Sequence, residues 1–367
     1  PEETGGADPV NPFLQLLTDA LVESVRRPEG LPDSMREVVV SLIYKEKGDR
    51  ALLQNYRPIA VMPTLYKILT RTMAEALHGV MPWLVDNTGF QRGLDTQNNV
   101  RLVQDAVQYL SGQGRGGVLV LCDQKSAYPR VRWDFLQKVM QQMGVHADFR
   151  MMVAALYDDP AVRIKVNGHV GAPFTPAHGL HQGCGLSPLL YLLCLQTFTS
   201  LAARDGELQG VRIPGEGGVG EREVRITGYA DDLAAFLADE RQLVRFKELL
   251  AVYEKGSGAQ NEWEKTHAIR FGSLRDSTVV PRGWAHPKIF DVSVVRYLGV
   301  FLGTSEAVAR VWEEKVTGKI RQRYGSWLSQ GGASAINFGY RLQGSACALH
   351  TAGAPARLLF STAGSTI

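Results

Sequence analysis

Two adjacent aspartates, Asp231 and Asp232, stand in the stretch GYADDLAAF between two runs of small and apolar residues. The flanks restrict what the backbone can do there. Upstream, EVRITGY alternates Val224, Ile226 and Gly228 against Glu223, Arg225 and Thr227, a period of two that predicts a strand. Downstream, LAAFLA is a short apolar run suited to a second, buried strand. A tight hairpin follows, with both carboxylates at its tip. Taken alone, such a pair also fits a solvated turn or a helix cap, because an aspartate side chain bonds nearby backbone N–H groups. Two acids held together repel, and one stays protonated unless a cation neutralises them. A divalent metal ion is the simplest reason to keep both ionised.

A third aspartate ends another apolar run. GGVLVLCD (116–123) reads as a strand buried on both faces, closed by the polar Asp123. WDFLQKVMQQMG follows as a helix capped by Gly144, and AVRIKVNG as a strand with an Asn-Gly turn. SPLLYLLCLQTFTSLAAR predicts a helix apolar nearly all round, with Ser187 at its N-cap and Pro188 at the first helical position. A sheet built in this order can bring Asp123 beside Asp231 and Asp232. Three carboxylates are hard oxygen donors that suit Mg²⁺ or Mn²⁺ better than zinc. Two such ions about 4 Å apart serve an in-line phosphoryl displacement.

The remaining elements frame this centre. Residues 11–25 carry a helical apolar pattern, and 38–44 predict a strand leading into a Lys/Gly/Asp turn. A helix is expected with Leu65, Ile68, Leu69, Met73, Leu77 and Val80 on its apolar face. Another is expected with Val100, Val103, Val107 and Leu110. LVRFKELLAVYEKGSG predicts an amphipathic helix ending at Gly256, and VVRYLGVFLG one further strand. From Ser305 to Leu328 an apolar stripe steps by four, with Arg310, Lys315, Lys319, Arg321 and Arg323 around it. GEGGVG (215–220) matches a nucleotide-binding glycine pattern by letter but neither follows a clear strand nor opens a helix, so a flexible loop is expected. The last forty residues show little periodicity.

Composition narrows the class. With 45% hydrophobic and 21% charged residues and no apolar run of about twenty, the chain of 367 residues reads as a soluble globular protein with more than one subdomain. Cys122, Cys184, Cys194 and Cys347 lack CxxC spacing, which points to a reduced intracellular protein without structural zinc. His178, His181 and Cys184 are spaced by three, but no second cluster completes a metal site. The net charge of +3 is only a weak pointer to a polyanionic partner. A start at Pro1 without Met is expected of a fragment or an excised domain.

Several motifs together resemble one family. LCDQKSAYPRV, GLHQGCGLSPLLY, YADD and GSGAQNEWEKT stand in the order and spacing of reverse transcriptases, above all those of non-LTR (LINE-type) retrotransposons. IYKEKGDRALLQNYRPIAVMPTLYKILTRTMAEAL and DNTGFQRGLDTQNNV are similar to the family's fingers, and RYLGVFLG to its palm–thumb junction. The resemblance covers roughly residues 36–330. It implies an α+β right-hand polymerase fold: fingers, a palm with a ferredoxin-like antiparallel sheet, and a helical thumb. The expected limits are 1–35 for an N-terminal extension, 36–115 for the fingers, 116–303 for the palm and 304–367 for the thumb and tail.

The resemblance also implies an activity, DNA synthesis on an RNA template. Asp123, Asp231 and Asp232 fall on the catalytic ligands of two Mg²⁺ ions, with Mn²⁺ as the alternative. Tyr128 falls on the aromatic gate that leaves no room for a ribose 2′-OH. Gln182 and Gly183 match the loop packed on the incoming nucleotide and template, and Lys45, Lys47 and Arg57 the basic fingers positions near the triphosphate. Lys265 matches the palm lysine near the leaving pyrophosphate. Lys315, Lys319, Arg321 and Arg323 would grip the template–primer backbone. Partners would be an RNA template, a DNA primer and dNTPs, with no membrane, and the location an intracellular (nuclear or cytoplasmic) ribonucleoprotein. Three positions depart from the family: Pro129 replaces the usual Asp, Gly185 the usual Pro, and Gln196 a frequent Glu. The competing expectation is a catalytically decayed, polymerase-like nucleic-acid-binding protein.

Overall fold

The computed structural model describes residues 31–215, 220–282 and 284–329, together with Gln15, Leu16, Asp19 and Glu23. Those four, all helical, belong to the helix expected over 11–25, whose other residues lie outside the described ones, as does the tail from 330 onward with Cys347.

The central sheet has the order β10-β3-β9-β8, antiparallel throughout: β10 (His267–Phe271), β3 (Gly117–Cys122), β9 (Asp232–Leu237) and β8 (Ile226–Tyr229). Strand geometry sends alternate side chains to opposite faces. Val118, Val120, Cys122, Leu233, Ala235 and Leu237 enter one apolar cluster, and Leu119, Leu121, Ala234 and Phe236 a second. The first is closed by helices α3 (Trp133–Gln142), α5 (Ser187–Arg204) and α6 (Gln242–Ser257). The second is closed by Val100, Val103 and Leu110 of α2 (Thr96–Gly112) and by Val295 and Tyr297. Coverage on both faces explains why β3 is buried at all six positions and has no polar residue before its end. Each fully buried aliphatic side chain contributes about 1.5–3 kcal/mol, so this sheet is the rigid floor of the molecule.

A second sheet has the order β2-β1-β4-β5, from β1 (Glu37–Tyr44), β2 (Tyr56–Val61), β4 (Ala161–Val166) and β5 (His169–Val170). It draws strands from both sides of residue 116, the expected fingers–palm limit. β4 lies parallel to β1, and a parallel partner needs a long crossover that leaves no local sequence signal. Val38, Ala60 and Val162 bury one face of this sheet, and Ile43, Arg57, Val61 and Lys165 leave the other open to solvent.

The structure corrects several element readings. EVRITGY is two strands, β7 (Glu221–Val224), paired with β6 (Val211–Pro214), and β8. They part at Arg225, whose guanidinium donates to the carbonyls of Ala202, Ala203 and Asp205 at the end of α5. Helix-end carbonyls lack partners within the helix, and the side chain supplies them while the Arg225 carbonyl still accepts the Phe236 N–H at 2.7 Å. VVRYLGVFLG is a hairpin, β11 (Val294–Tyr297) and β12 (Val300–Gly303), turning at Leu298 and Gly299.

Helix boundaries and faces shift as well. The N-cap of α5 is Leu186; Ser187 is already helical and buried, 3.5 Å from the Tyr157 hydroxyl. Helix α6 runs past Gly256, where an added Cβ would stand 3.2 Å from the Phe135 ring, to a left-handed Gly258. In α1 (Thr64–His78) the buried face is Tyr66, Leu69, Thr70, Met73, Ala74 and Leu77, whereas Leu65, Ile68 and Val80 beyond its end are exposed. Both stripes keep helical spacing, and only tertiary packing selects one. The helix expected over 305–328 is α7 (Ser305–Trp312), a π turn at Glu313–Thr317, and α8 (Gly318–Ser329). A stripe stepping by four drifts around a 3.6-residue helix, and the wider π turn takes up part of the drift. Trp312 meets Phe301 edge-on at 6.4 Å. Tyr324, expected on the apolar stripe, is exposed. Among the described residues no helix is long and apolar enough to cross a membrane.

Candidate active site

The ladder sets the positions of the acids. Cys122 pairs with Leu233 across β3 and β9, so Asp123, one residue beyond the end of β3, stands beside Asp232 at the start of β9. Tyr229 pairs with Asp232 across β8 and β9, leaving Ala230 and Asp231 as the two turn residues. Asp123, Asp232 and Asp231 are thus neighbours by register at one end of the floor.

Their electrostatics agree with this placement. Burial first, then Asp231 and Asp123, together raise the Asp232 carboxyl to about 6. Burial also raises Asp123, opposed by Lys265, reinforced by Asp231 and Glu262, and opposed again by Lys45. Lys265 Nζ lies 3.8 Å from Asp123 and 3.6 Å from Glu262. The Glu262 N–H donates to the Asp123 carbonyl at 2.7 Å, which fastens the Lys265 segment to the end of β3. Among the described residues no three acidic, His or Cys side chains stand in an arrangement that by itself could hold a metal ion, the three aspartates included. The three carboxylates supply an open set of hard oxygen donors, which fits a cation whose remaining ligands come from a phosphate and water.

Tyr128 lies in a 3₁₀ turn (Tyr128–Arg130) just after Asp123 and is half-buried. Its ring stacks on Tyr191 with centroids 5.0 Å apart and planes 19° apart. The Tyr191 hydroxyl donates to Gln124 Oε1 at 2.8 Å. Burial and the nearby Asp231 both push the Tyr128 phenol above its usual range. Gln182 and Gly183 meet the second sheet: Ala60 N–H donates to the Gln182 carbonyl at 2.7 Å, and Gly183 has φ 114°. A Cβ on Gly183 would stand 2.7 Å from the Ala60 carbonyl oxygen, so this position admits only glycine. Gln182 Oε1 is buried without a partner.

Beside this loop, His181 is enclosed by the Tyr66 and Tyr157 rings, and burial lowers its pKa to about 4. His178 bonds the Pro129 carbonyl. The histidines of the three-residue spacing are therefore engaged in packing and backbone contacts.

The basic residues divide. Lys45 donates to the Gln54 carbonyl at 2.8 Å and lies close enough to influence Asp123. Lys47 and Arg57 are exposed, Arg57 opposite Ile43 on the second sheet. Lys315, Lys319, Arg321 and Arg323 are exposed on the π turn and α8, and Arg321 pairs with Glu313 at 2.7 Å. Sequence reading missed Glu262, Tyr191 and Gln124. Tyr191 is hidden in an all-apolar helix, and nothing local marks it as the support beneath Tyr128.

Residues 43–302 match the family described as reverse transcriptase (RNA-dependent DNA polymerase). The chain belongs to the reverse transcriptase family. Among curated relatives, an uncharacterized 149 kDa protein of transposon TX1 from Xenopus laevis is 29% identical over 78% of this chain and 21% of its own length. A retrovirus-related Pol polyprotein of the type-1 retrotransposable element R2 from Popillia japonica is 23% identical over 76% and 39%. The chain thus spans well under half of the relatives it matches. Solved telomerase structures from Candida tropicalis, without the C-terminal domain, and from Candida albicans, with a fragment of telomeric RNA, each give a TM-score of 0.49. They are 11% and 10% identical, cover 79% and 80% of this chain, and are themselves covered over 58% and 49%. The relatives agree with the retrotransposon kind of reverse transcriptase expected from the motifs. The α+β architecture, with its antiparallel central sheet, is the right-hand polymerase fold of this family. Reverse transcriptases generally depend on a divalent metal ion.

Proposed function

We propose that this chain is the RNA-directed DNA polymerase segment of a retroelement protein, adding dNTPs to a primer 3′-OH on an RNA template. The observation that carries the reading is the register placing Asp123 beside Asp232, with Asp231 at the adjoining tip. Asp123, Asp231 and Asp232 would hold two Mg²⁺ or Mn²⁺ ions, which when bound activate the attacking hydroxyl and hold the leaving oxygen. Lys265, 3.8 Å from Asp123, holds a proton and a positive charge where pyrophosphate departs. Tyr128, stacked on Tyr191, forms the floor under the sugar and excludes a 2′-OH. Gly183 lets a nucleotide approach the backbone, and Gln182 presents its amide to it. Lys45 draws the triphosphate, with Lys47 and Arg57 behind it on the open sheet. Lys315, Lys319, Arg321 and Arg323 contact template–primer phosphates.

In this reading residues 36–115 with β4–β5 act as fingers, the remainder of 116–303 as palm, and residues from 304 as thumb. The protein works inside the cell in a ribonucleoprotein. A decayed polymerase is not favoured, since all three aspartates and Lys265 are present. The test is primer extension on RNA and DNA templates with Mg²⁺ or Mn²⁺. Asp231→Asn should lower extension at least about a hundredfold and leave template–primer affinity within about threefold, because binding rests on phosphate contacts elsewhere. Equal extension by both proteins would refute the assignment.

A further inference from the structure

The tip carrying Asp231 has an unusual backbone. Ala230, which precedes it, has φ 56°, a left-handed conformation that an alanine adopts only at a cost of about 1–2 kcal/mol. No glycine or asparagine in the turn makes that shape inexpensive. Something outside the hairpin must hold it.

Asn87 does so. Its side chain, 2% exposed, reaches the turn from a loop 143 residues away. Asn87 Nδ2 donates to the Ala230 carbonyl at 2.9 Å, and the Ala230 N–H donates to Asn87 Oδ1 at 2.9 Å. One amide thus satisfies both backbone groups of the left-handed residue. The same Oδ1 accepts the Gly89 N–H at 2.9 Å, which fixes the direction of the amide. The next residue adds a backbone bond, Thr88 N–H to the Gly228 carbonyl at 3.2 Å.

The approach is close on both sides. A Cβ on Gly228 would stand 2.7 Å from Asn87 Nδ2, and a Cβ on Gly89 would strike the Ala230 backbone. Behind the loop, Gln196 of α5 accepts the Asp86 N–H at 2.9 Å and donates to the Asp86 carboxylate at 2.8 Å. The chain of contacts runs from a buried helix through Asp86 and Asn87 to the acidic tip. An ordinary buried asparagine closing its own turn would explain the bond from Gly89. It would not explain two bonds to one distant residue in a strained conformation.

We propose that Asn87 is a positioning residue for catalysis: its amide clamps Ala230 in the left-handed conformation and thereby sets where the carboxylates of Asp231 and Asp232 meet the metal ions. The inference rests on the reading of those two aspartates as metal ligands. A displacement of about an ångström at such a centre costs on the order of a hundredfold in rate.

The test uses the full chain, with primer extension normalised to folded protein and Mn²⁺ binding followed by electron paramagnetic resonance. Asn87→Ala should lower kcat at least tenfold and weaken Mn²⁺ binding several-fold, with template–primer affinity unchanged. Adding Ala230→Gly, which adopts a left-handed turn without help, should restore at least a third of the lost rate. Asn87→Ser covers the case in which Asn87→Ala does not fold, and the same losses are expected in milder form. Loss only in proportion to unfolded protein, unchanged Mn²⁺ affinity, or no recovery in the double variant would overturn the clamp. Asp232→Asn, run in parallel, separates the two readings. If it abolishes Mn²⁺ binding while the Asn87 variants retain it, the clamp alone fails; if it too retains binding, the metal-site assignment fails as well.

Discussion

The tips of two hairpins, β4–β5 and β8–β9, turn on two residues each by opposite means. The first uses Asn167 (φ 51°) and Gly168 (φ 86°), residue types that accept positive φ readily, and nothing lies within 4 Å of where a Gly168 Cβ would be. The second puts the positive φ on Ala230 (φ 56°), a residue type that adopts it at a cost, followed by Asp231, and Ala230 is 7% exposed beneath the Asn87 clamp. One turn is encoded by its own residues. The other is imposed from outside, and it is the one that carries the acids. A turn held by distant contacts can present side chains in a geometry that local propensity would not choose, at the expense of depending on every link in the brace.

That dependence can be measured. The largest effect is expected at His181, in the other segment held from outside, the loop that ends against Ala60. Its folded-state pKa of about 4 lies below the unfolded value near 6.5, so the unfolded chain takes the proton first as pH falls. The stability this site contributes is present above about pH 6.5 and is lost as pH falls towards 4, by roughly 3 kcal/mol in total. Urea unfolding at pH 7.5 and pH 5 should show the loss in the parent protein and little of it in His181→Phe. Equal acid sensitivity in the two would mean that another group controls it.

The root of the clamp comes next. Gln196→Glu restores the residue frequent in the family but removes the bond donated to Asp86 and sets two carboxylates face to face. A loss of about 2 kcal/mol at neutral pH is expected, shrinking as pH falls and one carboxyl is protonated. Primer extension should decline with it, since Asp86 adjoins Asn87. If stability falls but extension per folded molecule does not, the link from α5 to the acidic tip is broken as an explanation. The smallest effect belongs to the unbraced turn. Gly168→Ala places a side chain at φ 86° and should cost about 1 kcal/mol in thermal unfolding while leaving extension per folded molecule unchanged. A fall in extension there would erase the contrast between the hairpins.

Much of the site was legible in one dimension because its signals are local. The apolar run ending at Asp123, the Asp pair between two strand patterns and the five-residue step to Tyr128 each occupy a few consecutive residues. Other parts were not. Leu65 and Ile68 form as regular a helical stripe as Tyr66, Leu69 and Met73, and only the second meets a core. Arg225 lies in an alternating pattern that splits into β7 and β8 around it, and its guanidinium binds three carbonyls at the end of α5, a contact that no local pattern marks.

By itself, the sequence determined the strand that ends at Asp123, the long helices, the Asp pair at a hairpin tip, and the turn at Asn167 and Gly168, since these depend on neighbours in the chain. Tertiary structure alone decided that β4 joins β1, that Tyr191 supports Tyr128, and that Asn87 closes on Ala230. The physical reason is the same for each: their energies come from contacts between residues 63 to 143 positions apart or strands in parallel register, and such contacts exist only once the chain has closed on itself.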